Sequence, residues 1–205
     1  MPSPNSTAKA TVRNSWQTDL LWLAGIFLFT GTIEYLRGSL PLGVDGKFGW
    51  WEGNIWSNET SQRFADPYSL THLTHGILLF CILRYLAPRL PASKRLLIAA
   101  LIEGSWELVE NSLMMIDRYR AVTISLGYSG DSILNSMSDI LMMCLGFAFA
   151  MRVSFRVCIA TVLILEIGCA LWVHDNLTLN VIMLIHPIEA IKHWQMAGAP
   201  AGLSH

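Results

Sequence analysis

Long apolar stretches separated by short polar segments dominate this chain. Five of them are long enough, or nearly long enough, to cross a bilayer: residues 18–36, 69–87, 95–115, 131–151 and 155–173. A helix needs about 20 residues to cross the roughly 30 Å of hydrocarbon in a membrane. The pattern therefore predicts an all-α fold, a polytopic membrane helix bundle.

A sixth apolar stretch, residues 178–191, is shorter and contains Pro187. Because proline kinks or ends a helix, this stretch predicts a short or tilted span, with a re-entrant piece or an interfacial helix as alternatives. We expect five or six transmembrane helices in total. The polar flanks, residues 1–15 and 196–205, are expected to be disordered tails. Residues 16–195 then form a single integral membrane domain.

Basic residues cluster in the segments on one side of the predicted spans. They are Lys9, Arg13, Arg84, Arg89, Lys94, Arg95, Arg152, Arg156 and Lys192. Loops rich in lysine and arginine stay in the cytoplasm, so we expect a multi-pass protein with a cytoplasmic N-terminus. Arg118 and Arg120 fall on the outer side, where Asp117 or Asp131 could pair with them.

The composition supports a membrane protein that lies in a lipid bilayer. Only 14% of the 205 residues are charged, whereas soluble domains usually carry about 25%. The formal net charge of −1 and the lack of a basic tract give no surface for nucleic acid. The four cysteines lie in apolar runs without a paired spacing, so they predict buried thiols rather than disulfides.

Three carboxylates interrupt the third apolar stretch. Glu103, Glu107 and Glu110 are spaced by four and three residues, which places them on one face of a helix. A charged group near the centre of a bilayer costs from about 2.5 to well over 10 kcal/mol, depending on the measure. Three such groups predict a polar site with partners on neighbouring helices.

Two other spans offer such partners at a similar depth. His72 and His75 open the second span, whereas Asp131, Asn135 and Asp139 follow one face at the start of the fourth. If the spans alternate in direction, these side chains and the outer end of the third span lie near the same membrane surface. The pattern predicts one polar pocket beneath the outer leaflet, although Asp131 also fits the N-cap of its helix.

Several kinds of site fit this constellation. A divalent metal held by His72, His75 and Glu107 is one, because imidazole and carboxylate ligands suit zinc, iron or manganese. Metal-free acid–base chemistry is another, because paired carboxylates in a low-dielectric site have split pKa values and histidine can shuttle a proton. The same groups could instead join the helices by hydrogen bonds, worth only about 0.6 to 2 kcal/mol each, or bind a ligand without chemistry.

The leading hypothesis is an enzyme that acts on a lipid or lipid-linked substrate. The predicted catalytic residues are His72, His75, Glu103, Glu107, Glu110, Asp131, Asn135 and Asp139. The residues expected to bind substrate are Asn111, Tyr128, Arg118 and Arg120. Either arginine could hold an anionic lipid headgroup. The alternative is a non-enzymatic subunit or assembly factor of a larger membrane complex.

Further polar residues lie outside this constellation. Glu34 is at the outer end of the first span, where it could join the site or reach the membrane interface. Glu166 lies within the fifth span, and the sequence names no partner for it. Asn180 shares a loose polar stripe with His186 and Glu189 on the last apolar segment, and this stripe could reach the site.

Four stretches carry a resemblance to a known family. They are HLTHG at 72–76, EGSWELVENS at 103–112, IDRYRAVTISLGYSGDSILNSMSD at 116–139 and DNLTLNVIMLIHPIEAIKHWQ at 175–195. They resemble a family of bacterial inner-membrane proteins, best known from alphaproteobacteria and carried as a domain of unknown function. The resemblance implies an integral membrane protein of about this length and brings no established activity.

Two fainter likenesses concern the order of polar residues. Asp and His in the second span, Glu in the third, and Arg followed by Asp131-x-x-x-Asn135 in the fourth look like the VanZ-like membrane family of teicoplanin resistance. Asp117 followed by Asn135 and Asp139 looks faintly like lipoprotein signal peptidase, an intramembrane aspartyl enzyme. That family has Asn-x-x-Asp, whereas Asn135 and Asp139 are four residues apart, so this second likeness is only an analogy.

Overall fold

The protein is all-helical over the residues that its structure describes. The computed structural model describes the backbone of residues 4–200 and the side chains of residues 16–200. The helices are α1 (Pro4–Arg37), α2 (Ser69–Leu86), α3 (Ala92–Glu110), α4 (Leu113–Val122), α5 (Ile133–Ala150), α6 (Phe155–Val173), α7 (Leu177–Ile185) and α8 (Glu189–Met196). The predicted all-α membrane bundle is confirmed.

Four helices in the described part of the chain are long and apolar enough to cross a membrane. They are α2, α5, α6 and the segment Trp16–Arg37 of α1. α3 has a similar length and packs against α1, α2 and α5, so it forms the fifth helix of the bundle despite its charged residues. Much of α1 and α6 is apolar and exposed, as expected for helices that face lipid.

The last apolar stretch does not form one continuous helix. It is divided into α7, which has 9 residues, and the amphipathic α8. A helix of this length rises about 14 Å, which is roughly half of the hydrocarbon thickness. The interruption lies at residues 186–188, and Pro187 explains it because proline cannot continue a helix.

Two further segments of the chain are helical. Residues 4–15 continue α1 where a disordered tail is predicted, and Ala8, Lys9 and Ala10 in this segment are good helix formers. Residues 1–3 and 201–205 lie outside the described residues, so disorder there stays a prediction. The segment after α3, where the sequence places Arg118 and Arg120 on the outer side, contains α4, whose N-cap Ser112 accepts the N–H of Met115.

α2 and α5 form the most extensive helix pair of the bundle. Gly76 of α2 lies against the backbone of Met143, and Gly146 of α5 lies against the backbone of Leu73. The buried core beside these glycines includes Ile77, Phe80, Met143 and Phe147. Because the two helices run in the same direction, their first turns lie side by side at one end of the bundle, which we call the site end.

The loop of residues 38–65 is fastened to the site end. The backbone N–H of Ser132 donates to the carbonyl of Ser61 (2.9 Å). Asn135 Nδ2 donates to the carbonyl of Arg63 (3.0 Å). These bonds hold the loop against the start of α5, so the loop forms part of the wall around the polar side chains described next.

Candidate functional site

Asp66 organises the first turn of α2 and thereby positions the two histidines. Its Oδ1 accepts the backbone N–H groups of Tyr68 (2.8 Å) and Ser69 (3.2 Å). Its Oδ2 accepts the N–H of Ser61 (2.8 Å). Burial raises the pKa of Asp66, although these donors oppose the rise. Such bonds satisfy N–H groups that a helix start leaves without intrahelical partners.

Glu103 of α3 joins the two histidines of α2. Its Oε1 lies 2.7 Å from Nδ1 of His72 and 2.9 Å from Nδ1 of His75. Glu103 is only 2% exposed. A carboxylate in this position fixes the orientation and tautomer of an imidazole. Glu103 therefore occupies Nδ1 of both rings, and Nε2 of each ring is left for other partners.

His72 also lies near two further carboxylates. Its Nδ1 is 3.5 Å from Oε1 of Glu107, and its Nε2 is 3.8 Å from Oδ2 of Asp139. Asp139 accepts a hydrogen bond from the Ser69 hydroxyl (3.1 Å). Glu107 is fully buried, and within the described part of the chain neither of its carboxylate oxygens has a hydrogen bond. One buried imidazole thus lies among acids from α3 and α5.

Asp131 is bound to the end of α3 and does not cap α5. Ser132 is the N-cap, since its hydroxyl accepts a backbone N–H of the first turn. The Asp131 carboxylate accepts hydrogen bonds from Asn111 Nδ2 (2.9 Å) and from the Tyr128 hydroxyl (3.0 Å). Burial raises the pKa of Asp131, and the nearby charge of Glu110 adds to the rise.

A cleft of about 270 Å³ lies over these side chains at the site end. The predicted catalytic residues that line it are His72, His75, Glu110, Asp131, Asn135 and Asp139. Glu103 and Glu107 are buried and do not line it. The sequence-predicted residues of three helices are therefore brought together, with two of the three glutamates placed beneath the cleft surface.

The residues expected to bind substrate are divided between the cleft and its surroundings. Tyr128 lines the cleft, whereas Asn111 is buried beside it. Arg118 donates from Nε and NH2 to the carbonyl of Leu184 (3.1 and 2.8 Å), which ties α4 to α7. Arg120 donates to the carbonyl of Tyr128 (2.5 Å). Neither arginine lines the cleft, so the structure gives no support to their holding an anionic headgroup there.

The sequence did not indicate the aromatic lining of the cleft. Its aromatic residues are Trp56, Tyr68, Trp106, Tyr119 and Tyr128. Tyr128 is the one aromatic residue that the sequence predicts for the site. Aromatic residues near membrane surfaces are common, so their presence in the sequence does not indicate a cleft. Of the polar stripe on the last apolar segment, Asn180 lines the cleft, whereas His186 and Glu189 are exposed.

Glu166 and Glu34 are two further acids within the spans. Glu166 accepts the N–H groups of Leu177 (3.2 Å) and Thr178 (3.0 Å), so it caps the start of α7. Glu34 is fully buried, which excludes the predicted alternative that it reaches the membrane interface. Neither residue lines the cleft.

Asp175 is a buried acid that links three parts of the site end. It accepts hydrogen bonds from the Tyr68 hydroxyl (3.2 Å), from Gln195 Nε2 (2.8 Å) and from the Asn176 backbone (2.9 Å). Burial nevertheless raises its pKa from 3.8 to about 7. Its burial depends on contacts with Tyr68 and Gln195, which lie on distant segments of the chain.

This raised pKa predicts a pH-dependent stability. The folded protein binds the Asp175 proton more tightly than the unfolded chain, so this contribution is fully present below about pH 4 and is lost as the pH rises through about 7. We expect the Tm of the wild-type protein to fall relative to that of Asp175→Asn over this interval. Thermal unfolding in detergent at a series of pH values measures the difference, and a constant difference would contradict the prediction.

Among the residues whose side chains the structure describes, two sets have donor atoms close enough to hold a metal ion. One set is His72, His75 and Glu103, and the other is His72, Glu107 and Glu110. Within each set the donor atoms lie within 4.8 Å of one another. The structure thus separates the predicted metal ligands His75 and Glu107 into different sets that share His72.

Comparison with known proteins agrees with the family resemblance of the sequence. The chain is similar to a UPF0314 protein of Rhizobium johnstonii, with 45% identity over 163 residues, covering 80% of this chain and 84% of the relative. A UPF0314 protein of Sphingopyxis alaskensis is 42% identical over 182 residues, with 89% and 97% covered. One of Paracoccus denitrificans is 47% identical over 160 residues, with 78% and 83% covered.

No solved structure matches the chain. The model of the family described as "Protein of unknown function (DUF2585)" matches residues 35–197. This range includes α2 to α8 and therefore the whole constellation of histidines and acids. The predicted alphaproteobacterial family is confirmed, and the chain belongs to the DUF2585 family of bacterial membrane proteins.

Proposed function

We propose that the protein is an enzyme of the bacterial inner membrane that acts on a lipid or lipid-linked substrate at the periplasmic face. One observation carries the proposal: a cleft at the end of the helix bundle is lined by imidazoles and carboxylates from three helices. Hydrogen bonds between membrane helices contribute only about 0.6 to 2 kcal/mol each. This is too little to account for so many buried ionisable groups, whereas a reactive site accounts for them.

The surroundings of the cleft support an amphiphilic substrate. Its wall includes apolar and aromatic side chains such as Trp106, Leu126 and Leu184. Pockets for drug-sized molecules measure about 300 to 1,000 Å³, so a cleft of about 270 Å³ suits a headgroup or a single linkage rather than a whole lipid. Because the spanning helices end beside it, the apolar part of the substrate would stay in the bilayer.

The proposed chemistry is proton transfer by His75 and Asp139. Glu103 holds Nδ1 of His75 at 2.9 Å, which leaves the other ring nitrogen to take a proton from water or a substrate hydroxyl. The Asp139 carboxyl group lines the cleft 3.8 Å from His72 and would give a proton to the leaving group. Asp131 and Asn135 would orient the polar part of the substrate.

The distribution of charge supports a periplasmic opening. Lys94 and Arg95 lie in the first turn of α3, at the end of the bundle opposite the cleft. Lys94 is paired there with Asp19 of α1 (2.5 Å). Segments rich in lysine and arginine stay in the cytoplasm, so the cleft would lie on the other side.

Variants of His75 and Asp139 test the proposal through the lipids of the host. In a strain without the native gene, the wild-type chain should convert at least one amphiphile, and His75→Ala and Asp139→Asn should leave it unconverted. Loss of a general acid or base slows a reaction roughly 100- to 10,000-fold. Mass spectrometry of extracted lipids and lipid-linked intermediates measures the conversion.

Glu166→Gln is the matched control, because Glu166 caps α7 outside the cleft. It should give the wild-type lipid profile. Identical lipid profiles for the wild-type chain, both site variants and the empty strain would reject the enzymatic proposal. Co-migration with a larger complex on native gels would then support the role of a non-enzymatic subunit.

A further inference from the structure

We propose that His72, Glu107 and Glu110 bind a divalent transition-metal ion at the floor of the cleft. Their donor atoms lie within 4.8 Å of one another. Nitrogen and oxygen ligands bind zinc at about 2.0 to 2.2 Å, so a small movement of these side chains would close them around an ion. One imidazole combined with carboxylates suits zinc, iron or manganese.

Glu107 is the residue that points to a missing ligand. It is fully buried, and neither of its oxygens has a hydrogen bond within the described part of the chain. Nδ1 of His72 lies 3.5 Å from Oε1 of Glu107, which is too long for a strong hydrogen bond. A buried carboxylate without full compensation is costly, and a bound cation would supply that compensation.

The charges around the cleft also favour a cation. Three carboxylates line it beside two imidazoles, and no lysine or arginine is among its lining residues in the described part of the chain. The nearby Arg118 and Arg120 are engaged with backbone carbonyls instead. A dication would therefore offset negative charge that no lysine or arginine of the cleft offsets.

Glu103 separates this donor set from the alternative one. Its Oε1 is already bound to Nδ1 of both imidazoles, so the ring nitrogen of His72 that would bind the ion is Nε2, as in sites where an outer carboxylate orients a metal-binding histidine. Glu107 has no such engagement. Glu110 lines the cleft, so the ion would keep one side open to water or substrate, as catalytic metal sites do.

Elemental analysis of the full chain, purified in detergent from cells supplied with zinc, iron and manganese, tests this inference. The wild-type protein should contain about one ion per chain, and Glu107→Gln and Glu110→Gln should each lose most of it. Asp175→Asn removes a buried carboxylate outside both donor sets and should keep the wild-type metal content. Only trace metal in the wild-type protein, or full metal content in both glutamine variants, would overturn the proposal.

A second measurement covers the case in which a variant does not fold. Chelation of the wild-type protein should lower its Tm, and the addition of the metal found by elemental analysis should restore it. An unchanged Tm would overturn the site even if the variants are insoluble. The inference goes beyond the proposed enzyme, because metal content and Tm are measured without substrate. A metal-bound protein with no effect on host lipids would reject the enzyme and keep the metal site.

Discussion

Replacing Gly76 or Gly146 with alanine is expected to force α2 and α5 apart and to destabilise the bundle. A Cβ at Gly76 would overlap the carbonyl oxygen of Met143, and a Cβ at Gly146 would overlap the carbonyl oxygen of Leu73. Backbone atoms cannot rotate away as a side chain does, so the helices would have to move apart. Overpacking of a core usually costs about 1 to 3 kcal/mol, and we expect each substitution to reach or exceed the upper value.

The matched controls are Gly25→Ala in α1 and Gly168→Ala in α6. A Cβ at either position would have no atom within 4 Å, and alanine is a better helix former than glycine. The free energy of unfolding in mixed detergent, followed by tryptophan fluorescence, should fall for the Gly76 and Gly146 variants only. If Gly76→Ala unfolds with the wild-type midpoint, the close approach of the two backbones is wrong.

Much of the site can be predicted from the sequence, because hydropathy and the helix period place its residues. Crossing a bilayer requires long apolar helices, so the spans and their directions are visible as hydropathy. A helix period then places Glu103 and Glu107 on one face, and alternation places His72 and Asp139 at the same end. The structure brings these residues together because α2 and α5 run side by side from that end.

Other features depend on contacts that a single sequence does not display. Arg118 and Arg120 have the charge expected for binding an anion, but backbone carbonyls of Leu184 and Tyr128 occupy their donors. Any free backbone carbonyl can accept such a hydrogen bond, so no pattern of side chains in the sequence predicts it. The burial of Asp175 similarly depends on Tyr68 and Gln195, which lie on distant segments.

The sequence also does not predict the surroundings of each acid on α3. Glu103, Glu107 and Glu110 have the same residue type and share one helix face, yet Glu103 binds two histidines, Glu107 is enclosed without a hydrogen bond and Glu110 lines the cleft. α3 packs against α1, α2 and α5, so acids on one of its faces can have different neighbours. Periodicity gives the face of a residue, and only the packing gives its surroundings.

Replacing Glu103 is expected to affect stability or activity according to the substitute. Glu103→Leu removes the shared acceptor of His72 and His75, and breaking a buried charged pair in this way costs about 3 to 5 kcal/mol. Glu103→Gln keeps the shape and one accepting oxygen but removes the charge. We expect the glutamine variant to fold and to lose lipid conversion by at least about 100-fold, because a carboxylate that orients a catalytic histidine can contribute this much or more.

The comparison of the two variants separates a structural role from a positioning role. Unfolding in mixed detergent measures the first, and the rate of lipid conversion by folded protein measures the second. Glu103→Asp, which keeps the charge, should regain part of the activity lost in Glu103→Gln, whereas Glu166→Gln makes the same chemical change away from the histidines and should leave the rate unchanged. Full activity of Glu103→Gln would limit Glu103 to holding α2 and α3 together, because a neutral amide can make that hydrogen bond but cannot stabilise a charged imidazole as a carboxylate does.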